Sequence, residues 1–317
     1  MINEQESITA ATPVTPTSID YTKPLDAELK AVLNQELDAF MAKPANGWDA
    51  QYPTLYNTLN AIVTEYATAM NCPIPLLVLD FTGVNACQAR AEFMTDGSIR
   101  MYIGTGFIRG VLLSNNEAHA RLLHRSFRWT IAHEMAHLAD PKFRWWGSIS
   151  MFKLRMFIKS IAKISLVAAL FSFCLSFIPA LTQAPFQLYF YVGAGLNILY
   201  FLFEVGLHHM MEYTADAGAM KTADKFSVQE PVCALTAMNE AIAIVVEQEA
   251  DKARAAIEDA FALMPDEKHT AFLQMQYKVR LALHDGRVFK EKFFRNLYHP
   301  SYDNRIAAIE KLQANAS

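Results

Sequence analysis

The sequence predicts an α+β, mainly helical fold with a small β-sheet and an inserted transmembrane helical hairpin, and three observations carry this expectation. Apolar residues recur with helical spacing along much of the 317 residues. Two short aliphatic segments, residues 75–81 and 99–104, read instead as strands. Residues 164–203 form a run of about forty positions without a charged side chain. A chain of this length can bury a large core as one domain or as one domain with an insertion.

Residues 1–24 are rich in Thr, Ser and Pro and are expected to form a disordered lead-in. Glu4 and Glu6 stand where a signal peptide needs basic residues, and no apolar run follows, so export by a cleaved signal is not expected. Residues 26–43 and 56–70 carry helical periodicity, the two strands follow, and residues 128–139 read as continuous helix. After the uncharged run, residues 231–263, 266–284 and 288–297 read as further helices. Pro300 and Ser301 can start a last one.

The uncharged run is long enough, at ~1.5 Å per residue, for two helices that each cross a ~30 Å hydrocarbon layer. Pro179, Thr182, Gln183 and Pro185 mark a turn between residues 164–181 and 186–207. Lys142, Arg144, Lys153, Arg155, Lys159 and Lys163 precede it, a basic flank that belongs on the cytoplasmic side, with Trp145 and Trp146 at headgroup level. Two spans return the chain to its starting side, so both termini and the rest of the protein should be cytoplasmic. A buried soluble hairpin, or one lying in the interface, is the other reading. A soluble core helix usually shows a polar face, however, and neither proposed span has one. Glu204 either snorkels or pairs with the basic flank. The expected organisation is thus 1–24 lead-in, 25–163 first part of the domain, 164–207 hairpin and 208–317 second part.

Chemistry concentrates in three places. His133 and His137 are four apart on a helix and share a face, where their imidazoles can take two corners of a tetrahedral zinc site. Glu134 between them can take a proton from a water at the open corner. A third ligand is needed, and Glu212 fits, with Asp216 one turn on to accept the outer ring N–H of a ligating histidine. His208 and His209, one turn before Glu212, are rival ligands. Near the C-terminus His299 lies in a turn before a helix carrying Arg305. The pair can offer a hydrogen-bond donor and positive charge to an oxyanion.

HEMAH, then EYTAD after a long hydrophobic insertion, then HPSYDNRIAAI resembles the HtpX-type heat-shock proteases and CAAX prenyl proteases, membrane-associated gluzincin metallopeptidases. The resemblance runs from about Leu76 to the C-terminus. It includes residues 77–87, similar to the family's strand and Asn-Ala motif beside the substrate cleft. It implies a zincin-like metallopeptidase domain with a Zn2+ cofactor held by His133, His137 and Glu212, and Glu134 as general base. It further implies Asp216 behind the ligands, His299 and Arg305 as transition-state helpers, and Asn85 and Ala86 at the substrate. One hairpin cannot enclose the many-helix chamber of the prenyl proteases, so prenyl processing is not expected. HtpX-type relatives usually carry spans before the HExxH helix, and none is read here.

The expected function is a membrane-anchored zinc endopeptidase acting on membrane or membrane-adjacent polypeptides. The alternative is a catalytically inactive, membrane-bound zinc scaffold. A net charge of −4 and a pI near 6.1 give no basic field for nucleic acid. Cys72, Cys87, Cys174 and Cys233 form no CxxC pair, which points to a reducing compartment and away from a cysteine zinc site.

Overall fold

The computed structural model describes residues 25–44, 47–94, 96–116, 119–140, 186–222, 224–262, 277–282 and 300–315, with single residues between 160 and 174 and at 275. It is mainly helical with one three-stranded sheet. Helix α1, Ala27–Ala42, starts where the Asp26 carboxylate accepts the Leu29 N–H at 2.7 Å. It buries Leu33, Leu37 and Phe40, one helical face. After the short α2, Trp48–Gln51, helix α3, Pro53–Ala69, begins with proline at its first turn, where the missing N–H costs nothing.

Strand β1, Leu76–Asp80, is parallel to β3, Ile99–Gly104, which is antiparallel to β2, Ala89–Phe93. Among the described residues the order β1-β3-β2 makes β2 an edge. No strand was expected at β2. Gly83–Cys87 is a 3-10 turn, and its Ala86 carbonyl packs so close to Gly104 that a Cβ there would lie 2.3 Å from it. A turn with i→i+3 bonds cannot offer an extended edge.

The short α4, Thr105–Phe107, leads through a wider turn at Ile108–Leu112 to helix α5, Ala120–Ala139. This helix is buried almost all round, packed against α3, β2 and the two long helices α6, Phe186–Met220, and α7, Gln229–Ala262. Ser227 and Glu230 close a capping box at the start of α7, with the Ser227 N–H 2.8 Å from the carboxylate. The last helix, α8, Tyr302–Ala314, is capped by Ser301, whose Oγ accepts the Asn304 N–H, and it packs on α6 and α7.

A buried ionic clamp fixes α6 and α7 relative to α5. Arg128, almost fully buried, donates from Nη2 to Glu65 of α3 at 2.6 Å and from Nε to Asp224 in the α6–α7 connection at 2.9 Å. Tyr66 donates its hydroxyl to the same Asp224 carboxylate, and Arg125 bonds Glu230 at 2.6 Å. Removing one partner of such a pair leaves an uncompensated charge, so its geometry is strongly held.

The described residues of the first expected span, between 164 and 174, are helical, while the turn at 179–185 lies outside the described residues. The second span is the first part of α6, which runs unbroken to Glu212 and beyond. Among the described residues no helix is long and apolar enough to cross a membrane. Of the helix expected at 266–284, residue 275 and residues 277–282 are helical. The lead-in at 1–24, the basic flank, the helix expected at 288–297 and His299 lie outside the described residues.

Candidate metal centre

Helices α5 and α6 pack against each other beside the site. A Cβ on Gly218 would fall 2.7 Å from the Ala136 Cβ, so glycine lets the two backbones come this near. Glu212 and Asp216 sit on α6 just before that contact, facing His137 and His133 of α5. Gly218→Val is expected to push the helices apart, lowering stability by about 1–3 kcal/mol and weakening metal binding. Thermal unfolding with and without metal checks this; unchanged metal affinity would separate the helix contact from the site.

His133 Nε2 lies 3.4 Å from Glu212 Oε2, and His137 Nε2 lies 3.6 Å from Glu212 Oε1. Ligand atoms about 2.0–2.2 Å from a tetrahedral ion stand roughly 3.4 Å apart, so these spacings suit one ion between them. Among the described residues His133, His137 and Glu212 form the one group able to hold a metal ion, with all ligand atoms within 4.8 Å of one another. His208 and His209 are not part of it.

Behind the ligands, His133 Nδ1 is 2.9 Å from Asp216 Oδ1, so Nδ1–H donates there and Nε2 is left for a metal. Arg305 forks onto the same carboxylate, Nη2 to Oδ1 at 2.6 Å and Nε to Oδ2 at 2.9 Å, and reaches Glu212 Oε2 from Nη1 at 3.1 Å. Its guanidinium is buried beside the Trp129 ring. All three nitrogens of the fork are therefore committed to Asp216 and Glu212.

Glu134 occupies the other side. Its Oε1 is 4.0 Å from His133 Nε2, and its Oε2 accepts the Ala91 N–H at 2.8 Å. The bonds Gly104 N–H to Gln88 O and Met94 N–H to Ser98 O turn the even-numbered residues of β2 toward β3. Ala91 thus presents its N–H on the open edge, directly to Glu134. Asn85 and Ala86 lie in the turn before this edge, with Asn85 Oδ1 accepting from Gln88 Nε2 at 3.3 Å.

Sequence reasoning missed Trp129, Ala91, Gly218 and the Arg128 clamp. Trp129 was within reach of it: four residues before His133 it must share its face, and the two rings are 5.4 Å apart. Ala91 depends on strand pairing and Gly218 on a helix crossing, neither of which has a local signature.

Burial works against a charged His133 ring, but its hydrogen bonds to Asp216 and Glu212 push its pKa up to about 9. Burial likewise opposes the Asp216 carboxylate, yet His133 and Arg305 hold its pKa below the ordinary value. In the metal-free protein the raised His133 value contributes stability that is complete below the ordinary 6.5 and is lost as pH rises through about 9. A metal ligand must be neutral, so metal uptake at pH 7 is expected to release about one proton from this ring. Calorimetry in buffers of different ionisation enthalpy measures it, and a proton count of zero would contradict the His133–Asp216–Glu212 pairing.

Compared with protein-family models, with curated proteins and with solved structures, the chain matches none.

Proposed function

We propose that this chain is a zinc-dependent endopeptidase, anchored in a membrane and acting on membrane or membrane-adjacent polypeptides from the cytoplasmic side. The observation that carries the reading is the placement of Glu134 between a three-ligand metal cluster and the open edge of a β-strand. A structural site closes all four positions with protein; three ligands leave one open. Two imidazoles and a carboxylate suit zinc better than the hard cations that prefer all-oxygen sites. Held by His133, His137 and Glu212, a zinc ion supplies Lewis acidity toward a carbonyl oxygen and lowers the pKa of water to near 7.

Each residue then has one task. Asp216 keeps the His133 tautomer, and Arg305 keeps Asp216 and Glu212 in place. Glu134 takes the proton of the attacking water and returns it to the leaving amine. An extended substrate pairs with β2, where main-chain hydrogen bonds bind with little sequence preference. Such a strand would take the Ala91 N–H now held by Glu134, and so free the carboxylate as the scissile bond arrives. His299 is the candidate donor to the developing oxyanion.

Membrane anchoring is supported by an inversion on α6. Leu199 and Phe203 are 66% and 58% exposed while Glu204 is 6% exposed, with Ile198 and Leu202 also outward. Ile164, Val167, Leu170 and Phe171 of the preceding segment are exposed as well. Apolar side chains outward and a carboxylate inward are the pattern that lipid favours and water does not. The basic flank adds attraction to anionic headgroups. A protein quality-control role is the extension that the motif resemblance suggests.

The test is to incubate the metal-loaded full chain in proteoliposomes with an unfolded polypeptide. New peptide termini that vanish with chelator support the reading, together with membrane retention through alkaline carbonate. One metal per chain with an intact substrate would turn the protein into the scaffold, and release by carbonate would remove the anchor.

A further inference from the structure

Strand β1 is the other edge of the sheet, and among the described residues no backbone group bonds it on the side away from β3. A cavity of about 590 Å³ lies along it, within the ~300–1,000 Å³ range of ligand clefts. Leu76, Leu77, Val78 and Leu79 all border this cavity. Leu77 and Leu79 are buried in the core, while Leu76 and Val78 point to the opposite face of the sheet. Residues of both faces can border one cavity only along the edge of the strand, so the cleft opens on the unpaired N–H and C=O groups of β1. No charge or proline stands between Leu76 and Leu79, although strand edges usually carry such protection against pairing.

The rest of the wall is mainly aromatic and already packed. Phe40 meets Trp48 and Phe81 edge-on, with ring centroids 6.3 and 5.9 Å apart, and Trp48 meets Tyr56 at 5.1 Å. Leu76 and Phe81, at the two ends of β1, are 57% and 44% exposed. Two charged residues complete the lining, Asp49 and Arg100. The Asp49 carboxylate turns back along the start of α2, 3.8 Å from where a Cβ on Gly47 would lie. Arg100 stands beside Leu76 in the β1–β3 register, and its Nε is buried without a hydrogen-bond partner among the described residues. Its ion pair, from Nη2 to Asp96 Oδ2, spans 3.7 Å, too far for a hydrogen bond. A buried guanidinium N–H without an acceptor is costly, so this end of the cleft favours an anion.

We propose that the cleft binds the C-terminal tail of a partner polypeptide, added to β1 as an antiparallel strand with its apolar side chains on the aromatic wall and its terminal carboxylate on Arg100. Charge sets the direction: antiparallel addition brings the carboxylate to Leu76 and Arg100, whereas parallel addition would bring an ammonium there. Pro75 has no N–H and ends the ladder at the same point, where the tail itself ends. A lipid acyl chain fits the apolar wall but leaves the strand's N–H and C=O groups unpaired; a strand pairs them and gains its side-chain contacts as well. Binding here needs neither the metal nor Glu134, so it stands apart from the peptidase reading.

The experiment measures fluorescence anisotropy on the purified full chain, with chelator present so that no probe is cut. The probe is a short labelled peptide of alternating valine and threonine that ends in leucine with a free carboxylate. The same peptide with a C-terminal amide should bind about tenfold or more weakly, as expected for the loss of a charge-assisted hydrogen bond. Arg100→Met should bring the free acid down to the level of the amide and leave the amide unchanged. N-methylation of alternate peptide amides should abolish binding in one register and spare it in the other, because only one row of amides faces β1. Phe81→Cys should cross-link, through a bismaleimide, to a cysteine at the N-terminal end of the peptide above the level given by the native cysteines. Equal binding of acid and amide overturns the proposal, as does equal binding of the two N-methylated forms. Cross-linking to the C-terminal end alone reverses the strand and overturns it too, and so does binding of palmitate with no binding of the peptide. The probe-side comparisons leave the protein unaltered, so they decide the matter even where Arg100→Met folds poorly. Tail binding by a protein that cleaves nothing sinks the peptidase reading alone; cleavage without tail binding sinks the cleft alone.

Discussion

Glu134→Gln is expected to keep its metal and to lose turnover by about two to four orders of magnitude, the usual worth of a positioned general base. The carboxylate is not one of the three grouped ligands, and its nearer contact is the Ala91 N–H at 2.8 Å. Glutamine can still accept that N–H, so strand β2 and helix α5 should keep their places while proton transfer stops. His133→Ala, His137→Ala and Glu212→Ala each remove a ligand and should lose metal instead. Metal content by mass spectrometry beside single-turnover cleavage separates the two outcomes. Full metal in Glu212→Ala would return the third-ligand role to His208 or His209, and normal turnover in Glu134→Gln would remove the base.

The elements legible in the sequence were those with strong local patterns. Helices α1 and α3 and strands β1 and β3 lie within a few residues of where periodicity placed them, α5 ends where expected but begins eight residues earlier, at Ala120, and the α8 start was visible in Pro300 and Ser301. Strand β2 was not legible. Ala89, Arg90, Ala91 and Glu92 are all ordinary helix residues, and only pairing with β3 makes them extended. That miss matters, because β2 is the edge that faces Glu134.

The site was legible by spacing alone as far as its donor atoms. Two histidines four apart must share a helix face, and Glu212 and Asp216, also four apart, must share another. What spacing could not reveal is how the two faces are brought together. That is the work of Gly218 against Ala136 and of the Arg128–Asp224 clamp, contacts between residues far apart in sequence. The role of Arg305 was blurred for the same reason. Read along the chain it is a positive charge near a histidine turn; in the fold it is a fork gripping two carboxylates.

Arg305→Met is therefore expected to weaken metal binding by about ten- to a hundredfold, the usual effect of removing a group that orients a ligand. The metal-free protein should also lose about 3–5 kcal/mol, since Asp216 and Glu212 would be left as buried carboxylates without their shared cation. Two influences on metal affinity oppose each other here. Taking a positive charge away from a cation site should by itself tighten binding, whereas freeing Asp216 loosens the His133 ring that it holds at 2.9 Å. The bidentate geometry, 2.6 and 2.9 Å to one carboxylate with a third contact at 3.1 Å, argues that positioning wins. Arg305→Lys keeps the charge but not the fork, so it should fail to restore affinity. Metal titration of both variants, with denaturant unfolding of the metal-free forms, decides the matter. Tighter binding in Arg305→Met would show that charge outweighs the fork. Normal binding with a depressed kcat would return Arg305 to direct stabilisation of the transition state, a place its present contacts do not give it.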